Sequence, residues 1–144
     1  MPEITTQDII NLFEDAARTD RRLPSAIKKQ KTTAWMDHTQ EKMYKHSYHA
    51  ASYKVVPSSR DISRWWIASE ILRSVVEDVE KKKLIWVRAN KYPWTVIGRR
   101  FGYHRRKVKQ MFEEEIIFIR LWFQLHSNHK KVSDMIDKIV LKKE

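Results

Sequence analysis

Residues 97–110 read IGRRFGYHRRKVKQ and contain both glycines of the 144-residue chain, Gly98 and Gly102. Gly102 falls where a helix that ends at Phe101 needs a left-handed residue, which glycine supplies at little cost because it has no Cβ. Gly98 lies inside that helix, where glycine costs about 1 kcal/mol relative to alanine, so we expect a second helix to cross close to it. The stretch predicts two helices joined by a tight turn, a helix-turn-helix.

The charges around this stretch have one sign. Every charged residue between positions 91 and 109 is basic, and the first acid after them is Glu113. The whole chain has a net charge of +11 and a pI near 9.9, which favours a nucleic acid or an anionic membrane surface as partner. The longest apolar run, residues 116–125, is too short to span a bilayer and is interrupted by Arg120. We therefore expect double-stranded DNA as the partner, and no membrane.

The length and composition predict one domain of ordinary size. With 42% hydrophobic residues, the chain can bury one core, whereas two domains of half the length would each be marginal. The absence of cysteine excludes disulfides and thiolate metal sites and permits a reducing compartment. The opening MPEI carries an acid and no apolar run, so it does not resemble a secretion signal. We expect a cytoplasmic bacterial protein associated with the nucleoid.

Helical periodicity dominates the chain and strand signals are nearly absent, which predicts an all-α, compact multi-helix domain. Thr5 or Thr6 can cap the first helix, and Pro57 with Ser58 marks the start of a later one. The segment Ser25–Thr33 is basic and without period, so we interpret it as a solvated linker. The first predicted helix runs from the cap at Thr5 or Thr6 up to the break at residues 21–24. The others are Trp35–Tyr48, 59–76, Val79–Asn90, a short element at Trp94–Phe101 that has Pro93 as its first helical residue, and about 104–125.

We divide the chain into a helical domain, residues 1–126, with the helix-turn-helix at about 94–125, and a small detachable tail, residues 127–144. Ser133 can cap the helix of the tail. In the helix after Ser58, large side chains should anchor the core, and we expect the tryptophans to be core residues rather than platforms on which bases stack. These side chains are Ile62, Trp65, Trp66, Leu72 and Val76, with Trp86 and Trp94 in later helices.

The last helix of the motif is amphipathic, with its basic start turned away from its apolar stripe. Between Ile116 and Phe123 it is apolar nearly all round, with Ile117 on the otherwise polar side. Such a segment is either buried in the monomer or meets another subunit. We expect a homo-oligomer, a dimer or higher, held through Ile116–Phe123 and the C-terminal tail. The apolar stripe comprises Val108, Met111, Phe112, Glu115, Ile116, Ile119, Trp122 and Phe123.

The run from Ile97 to Leu121 resembles the helix-turn-helix of region 4 in bacterial sigma factors. The residues in register are Gly98, Phe101, the turn Gly102-Tyr103-His104, Arg105, Val108, Lys109 and Gln110. The resemblance implies that Arg105, Arg106, Lys109 and Gln110 look into the major groove and that Lys107 meets a phosphate.

Over a larger span, the chain looks like an uncharacterised alphaproteobacterial and phage-associated family of helix-turn-helix proteins. This resemblance rests on the order and spacing of the pieces Ile85-Trp86-Val87-Arg88-Ala89, Trp94 and Phe101-Gly102. The sequence departs from the usual pattern at His104, where a serine or threonine cap is expected, and at Arg106-Lys107, where smaller residues are common. The family implies no settled activity.

Physical arguments independently assign roles to the basic residues. An α-helix fits the major groove, and side chains at its N-terminal end reach base edges. Arginine can bind guanine through two hydrogen bonds, worth about 1–3 kcal/mol of discrimination, while phosphate contacts fix position. If about five phosphates are neutralised, the logarithmic salt slope is about −4 to −5. The candidates for base contacts are His104, Arg105, Arg106, Lys109 and Gln110, and those for phosphate contacts are Arg99, Arg100 and Lys107.

Some of these features also have an interpretation without a ligand or a catalytic role. A basic run can be a solvated surface without a ligand, and we interpret the patches at residues 28–31 and 81–83 in that way. The histidine pairs at positions 46 and 49 and at 126 and 129 lack a convincing third ligand, so we expect no metal and no cofactor. Without a phosphate-binding glycine loop, a nucleophile elbow or grouped acids near the basic segment, we expect no enzyme.

Three functions from different classes remain. The first is a sequence-specific DNA-binding protein, a regulator of transcription. The second is a phage-type genome-packaging protein similar to a small terminase subunit, which also joins a helix-turn-helix to an oligomerising helix. The third is a module that uses the same fold to bind an acidic protein surface, such as one on RNA polymerase.

Overall fold

A computed structural model describes residues 3–23 and 56–140 of the chain. This part of the chain is built from helices and contains no strand, so the all-α prediction is confirmed. The predicted linker at Ser25–Thr33 and the predicted helix at Trp35–Tyr48 lie outside the described residues. The helices are α1 Thr6–Arg22, α2 Ser59–Ser74, α3 Val79–Ala89, α4 Trp94–Phe101, α5 Arg105–Leu125 and α6 Lys130–Val140.

The starts of α1 and α2 follow the capping signals in the sequence. At α1, the Asp8 N–H donates to the Thr5 hydroxyl at 3.3 Å and the Thr5 N–H donates to the Asp8 carboxylate at 3.0 Å. Ser58 and Asp61 form the same reciprocal pair at α2, with both distances 3.2 Å. Each pair satisfies two backbone donors that the first turn of a helix leaves without an internal partner.

Helix α1 lies at the centre of the fold and packs against α2, α3, α5 and α6. Its apolar face is completely buried, with Ile9, Leu12 and Ala16 at 0% exposure. The helix α5 supplies the opposite wall of the core through its predicted stripe, of which Met111 and Trp122 are half-buried and the other six residues are buried. None of the described helices combines the length and the apolar content needed to cross a membrane.

The predicted core face of α2 is wrong in part. Ile62 and Trp66 are exposed, Trp66 by 60%, and Trp65 is half-buried with its indole N–H donating to Asp20 at 3.2 Å. The reason is that α2 turns Arg64 inward. Its guanidinium meets Asp15 of α1 at 3.1 Å, and the buried face then comprises Arg64, Ile67, Ala68 and Ile71, whereas Val76 is buried beyond the end of the helix.

The C-terminal helix α6 packs against α1 and α2. The predicted cap at Ser133 is wrong, because the helix begins at Lys130 and the Ser133 N–H donates to the His129 carbonyl at 2.9 Å. The residues Val132, Ile136 and Ile139 are buried in the same core as α1. Arg64 also donates to the carbonyls of Lys138 (3.3 Å) and Ile139 (3.1 Å) in the last turn of α6, where a cation is favoured by the helix dipole.

Candidate nucleic-acid interface

The turn between α4 and α5 has the left-handed glycine that the sequence predicts. Gly102 has φ 76° and ψ 24°, and the N–H groups of Gly102 and Tyr103 both donate to the carbonyl of Gly98, the latter at 2.9 Å. These bonds end α4 at Phe101. The chain then needs only residues 102–104 before α5 begins.

Gly98 is the place where the turn and α4 come closest. A Cβ at this position would lie 2.6 Å from the Tyr103 carbonyl oxygen and 3.3 Å from the Arg105 nitrogen, both shorter than ordinary contact. The close approach that the glycine predicts is therefore present. The two helices also pack against each other, and Ile97 of α4 and Val108 of α5 are both fully buried in the core.

The two helix starts differ from expectation in detail. His104 caps α5, since the Arg106 N–H donates to its Nδ1 at 3.3 Å, so histidine here takes the part expected of serine or threonine. Pro93 precedes α4 as its N-cap, with φ −61° and ψ 148°. The prediction that Pro93 is the first helical residue is wrong by one position, because that ψ is extended rather than helical.

All of the predicted contact residues are exposed. The first turns of α5 bury Val108 and Phe112 against the core, which leaves the remaining positions facing solvent. The exposed residues are Arg99 and Arg100 at the end of α4, His104 in the turn, and Arg105, Arg106, Lys107, Lys109 and Gln110 in α5. The structure therefore leaves the whole predicted set open to solvent on the corner formed by the end of α4, the turn and the first turns of α5, where Arg99, His104 and Arg105 line one depression.

Most of these cations have no partner within the described part of the chain. Some basic side chains of other regions are engaged: Arg64 with Asp15, Arg73 with Glu70, and Lys81 with Glu115. No ion pair or hydrogen bond inside residues 3–23 and 56–140 involves the side chain of Arg99, Arg100, Arg105, Arg106 or Lys109. Unpaired cations at one corner raise the local positive potential, which attracts a polyanion.

Two members of the set are already held by neighbours. The Lys107 ammonium lies 4.4 Å from the centre of the Tyr103 ring, a cation–π contact that fixes it beside the turn. The Gln110 amide donates to Glu114 at 3.1 Å, so this hydrogen bond must break before Gln110 can pair with a base. Glu113 and Glu114 are exposed one turn farther along α5, where their charges repel phosphate and restrict the basic surface to the start of the helix.

Two further residues of this surface, Thr95 and Tyr103, are not among the contact residues that the sequence predicts. Both line a shallow depression of about 340 Å³ at the turn, together with Arg99, His104 and Arg105. Thr95 is exposed in the first turn of α4, and its hydroxyl is a donor of the kind that meets phosphate. Its position one helical turn before Arg99 is a signal that the sequence offered. Tyr103 could not be found in that way, because its role depends on where Lys107 points.

The other candidates that the sequence raised find different surroundings. Lys81, from a patch predicted to be plain surface, pairs at 3.4 Å with Glu115, whose side chain is buried, while the patch at 28–31 lies outside the described residues. The His126 ring stacks on Trp122 at 4.4 Å, and its Nδ1 lies 2.9 Å from the Trp122 carbonyl oxygen. In the described part of the chain, no three histidine or acidic side chains are grouped as metal ligands would be.

Comparison with known protein families gave one match. A family described as a domain of unknown function (DUF6362) matches residues 21–119, a span that includes α2, α3, α4 and most of α5. Comparison with curated proteins and with solved structures gave no match. The match covers more than half of the chain, and the chain therefore belongs to the DUF6362 family.

Proposed function

We propose that this protein binds double-stranded DNA by placing the start of α5 in the major groove, and that it regulates transcription. The observation that supports this proposal is the corner formed by α4, the turn and α5, where five cations have no partner in the described part of the chain and all eight predicted contact residues are exposed. Internal ion pairs need not be broken before these cations meet a polyanion.

The proposal gives different contacts to the two helices. Side chains at the N-terminal end of a helix in the groove reach base edges, which gives base contacts to Arg105, Arg106 and Lys109. Arg99 and Arg100 lie at the end of α4, beside the turn, and contact the phosphates that flank the groove. These roles agree with the resemblance of this region to the helix-turn-helix of sigma factor region 4.

Two single substitutions in α5 test the proposal. Arg106→Ala and Lys109→Ala should each lower the affinity for a duplex selected from random sequences by about 10- to 100-fold. Fluorescence anisotropy at fixed salt measures the affinity, and circular dichroism checks that the helix content is kept. The matched control is Lys83→Ala, which removes the same charge from an exposed position in α3. Equal affinities for all four proteins would contradict the proposal.

The salt dependence gives a second measurement. With about five phosphates neutralised, the logarithm of the binding constant should fall against the logarithm of the salt concentration with a slope of about −4 to −5. Replacing one phosphate-contacting residue, such as Arg99, should make the slope less steep by about one, so that it lies between about −3 and −4. A selection that enriches no sequence, combined with tight binding to an acidic protein, would instead support the protein-interaction module.

Genome packaging in the manner of a small terminase subunit is the second candidate. The observation that favours it is an apolar surface left exposed on α5, at Ile117, Phe118, Leu121 and Leu125, because packaging proteins of this kind join DNA recognition to a multi-subunit ring. Light scattering separates the two functions, since a ring has many times the 17.4 kDa mass of one chain.

A further inference from the structure

The C-terminal half of α5 exposes a stripe of large apolar side chains on the side away from the core. The exposed fractions are 43% for Ile117, 50% for Phe118, 45% for Leu121 and 78% for Leu125. At about 100° per residue, these four positions fall within a sector roughly 100° wide, opposite the buried residues of the same turns. A contiguous apolar surface of this kind on a folded protein marks an interaction site.

The charges at the two ends of the stripe have opposite signs. Glu113 and Glu114 are exposed just before it, and Lys130 is exposed just after it. Along the chain the surface therefore reads acid, then apolar, then base. If a second copy of this surface runs antiparallel to the first, the basic end of each copy meets the acidic end of the other. In a parallel arrangement, the two acidic ends would meet each other.

We propose that the occupant of this stripe is a second copy of the chain, with the two α5 helices antiparallel across a two-fold axis at Leu121. In that register Ile117 faces the partner's Leu125, and the acidic residues Glu113 and Glu114 lie toward the end of the partner's α5, near the start of its α6 at the partner's Lys130. A groove of about 450 Å³ beside Phe118 is lined by Glu77, Asp78, Glu114 and the ion pair of Lys81 with Glu115. Its excess of acid matches the basic start of α6 in the other copy. The self-complementary order of charges satisfies both ends of the contact at once, as a two-fold interface requires.

This pairing sets the distance between the two DNA-reading ends, a consequence that depends on the proposed function. The residues 105–110 are centred 13 to 14 positions before Leu121, which is about 20 Å at 1.5 Å per residue. The two reading ends are then about 40 Å apart, or about 37 Å if the helices cross at about 50°. Half-sites one turn of DNA apart are separated by about 34–36 Å. The expected target is two inverted half-sites centred one helical turn apart.

Mass measurement in the absence of DNA tests the pairing. Sedimentation equilibrium of the full chain should give twice the 17.4 kDa of one chain, and Leu121→Glu should give a monomer with unchanged helix content. Val96→Glu is the matched control, because it places the same charge on an apolar residue of α4 that has the same 45% exposure, and it should remain a dimer. A wild-type monomer, a ring of many subunits, or a dimer that survives Leu121→Glu would overturn the pairing.

Single cysteines test the direction, since the chain has none of its own. Under mild oxidation Leu121→Cys should form a disulfide-linked dimer, because a residue at the axis meets its own copy. Leu125→Cys alone should not, because two copies of Leu125 are about 12 Å apart along the axis and a disulfide needs Cα atoms within about 7 Å. A mixture of Ile117→Cys and Leu125→Cys should link. Efficient linking through Leu125→Cys alone would overturn the antiparallel arrangement.

The DNA target is tested separately, so that each failure can be recognised. Selection from random duplexes should return two inverted half-sites whose centres are 10–11 base pairs apart, and Leu121→Glu should still bind a single half-site. Binding to one half-site by a wild-type dimer would overturn the two-site target and leave the pairing intact. Loss of all DNA binding with an intact dimer would overturn the proposed function instead.

Discussion

The packing of the turn against α4 can be tested at Gly98. Replacing it with alanine places a Cβ 2.6 Å from the Tyr103 carbonyl oxygen, so the two backbones must separate by about 0.7 Å to reach the 3.3 Å of a close C–H···O contact. Forcing a methyl group into packed surroundings costs about 1–3 kcal/mol. The Cβ is fixed by the backbone of α4 and the oxygen that it meets belongs to the backbone of the turn, so no side chain can rotate away. We therefore expect a cost near the upper end of that range.

The opposing effect is the better helix propensity of alanine, about 1 kcal/mol. The difference leaves Gly98→Ala less stable than the wild type by about 1–2 kcal/mol, which corresponds to a fall in Tm of about 5 °C for a domain of this size. Calorimetry or thermal circular dichroism measures this fall. The sign of the change is informative, because an exposed helical glycine without close neighbours would become more stable on the same substitution.

Two controls separate the contact from other effects. Thr95→Ala lies in the same helix at an exposed position, so it should leave Tm unchanged or raise it slightly. Gly102→Asn has open space around its Cβ but keeps a φ of +76°, which asparagine tolerates better than most residues, so it should cost less than Gly102→Ala. A Gly98→Ala variant as stable as the wild type would show that the turn does not pack against α4 as described.

Two further substitutions and one deletion test the core and a helix cap. Arg64→Ala removes the buried ion pair with Asp15 and two hydrogen bonds to α6, so it should lower the free energy of unfolding by about 3 kcal/mol. The control Arg73→Ala changes a side chain that is 74% exposed, so it should cost less than about 1 kcal/mol. Urea denaturation measures both, and equal values would contradict the role of Arg64. Thr5→Ala removes a capping box and should cost about 1 kcal/mol in the same assay, and an unchanged midpoint would argue against the cap. Deleting residues 128–144 removes three buried side chains of α6, and the burial of each contributes about 1.5–3 kcal/mol to stability. The melting temperature of the shortened chain should therefore be well below that of the full chain. Equal melting temperatures would show that the tail is detachable.

Local signals in the sequence were sufficient for the ends of most helices. The Thr5 and Ser58 caps, the break at Asn90 and the glycine after Phe101 each act through backbone groups a few residues away, so neighbouring letters carry the information. The same reasoning found the exposed basic start of α5, because the period of the apolar stripe shows which positions face solvent. The predicted cap at Ser133 was wrong because the preceding residues 130–132 are themselves compatible with a helix.

Contacts between distant segments were beyond the reach of that reasoning. Trp66 was expected in the core because of its size, yet Arg64 takes the inward position, and the reason lies in Asp15 and in the carbonyl groups at the end of α6. These partners are 49 and 75 residues away along the chain. Hydrophobic periodicity treats arginine as a surface residue and contains no signal for a buried ion pair.

The sequence by itself determined that the chain is helical, where the turn at Gly102 falls, and which cations crowd around it, because backbone conformation and helical period depend on near neighbours. The tertiary structure alone decided that the Tyr103 backbone occupies the space beside Gly98, that α6 closes the core over Arg64, and that Phe118 and Leu121 are left exposed. Each of these depends on which helices meet in three dimensions, and side-chain burial is settled only when they do.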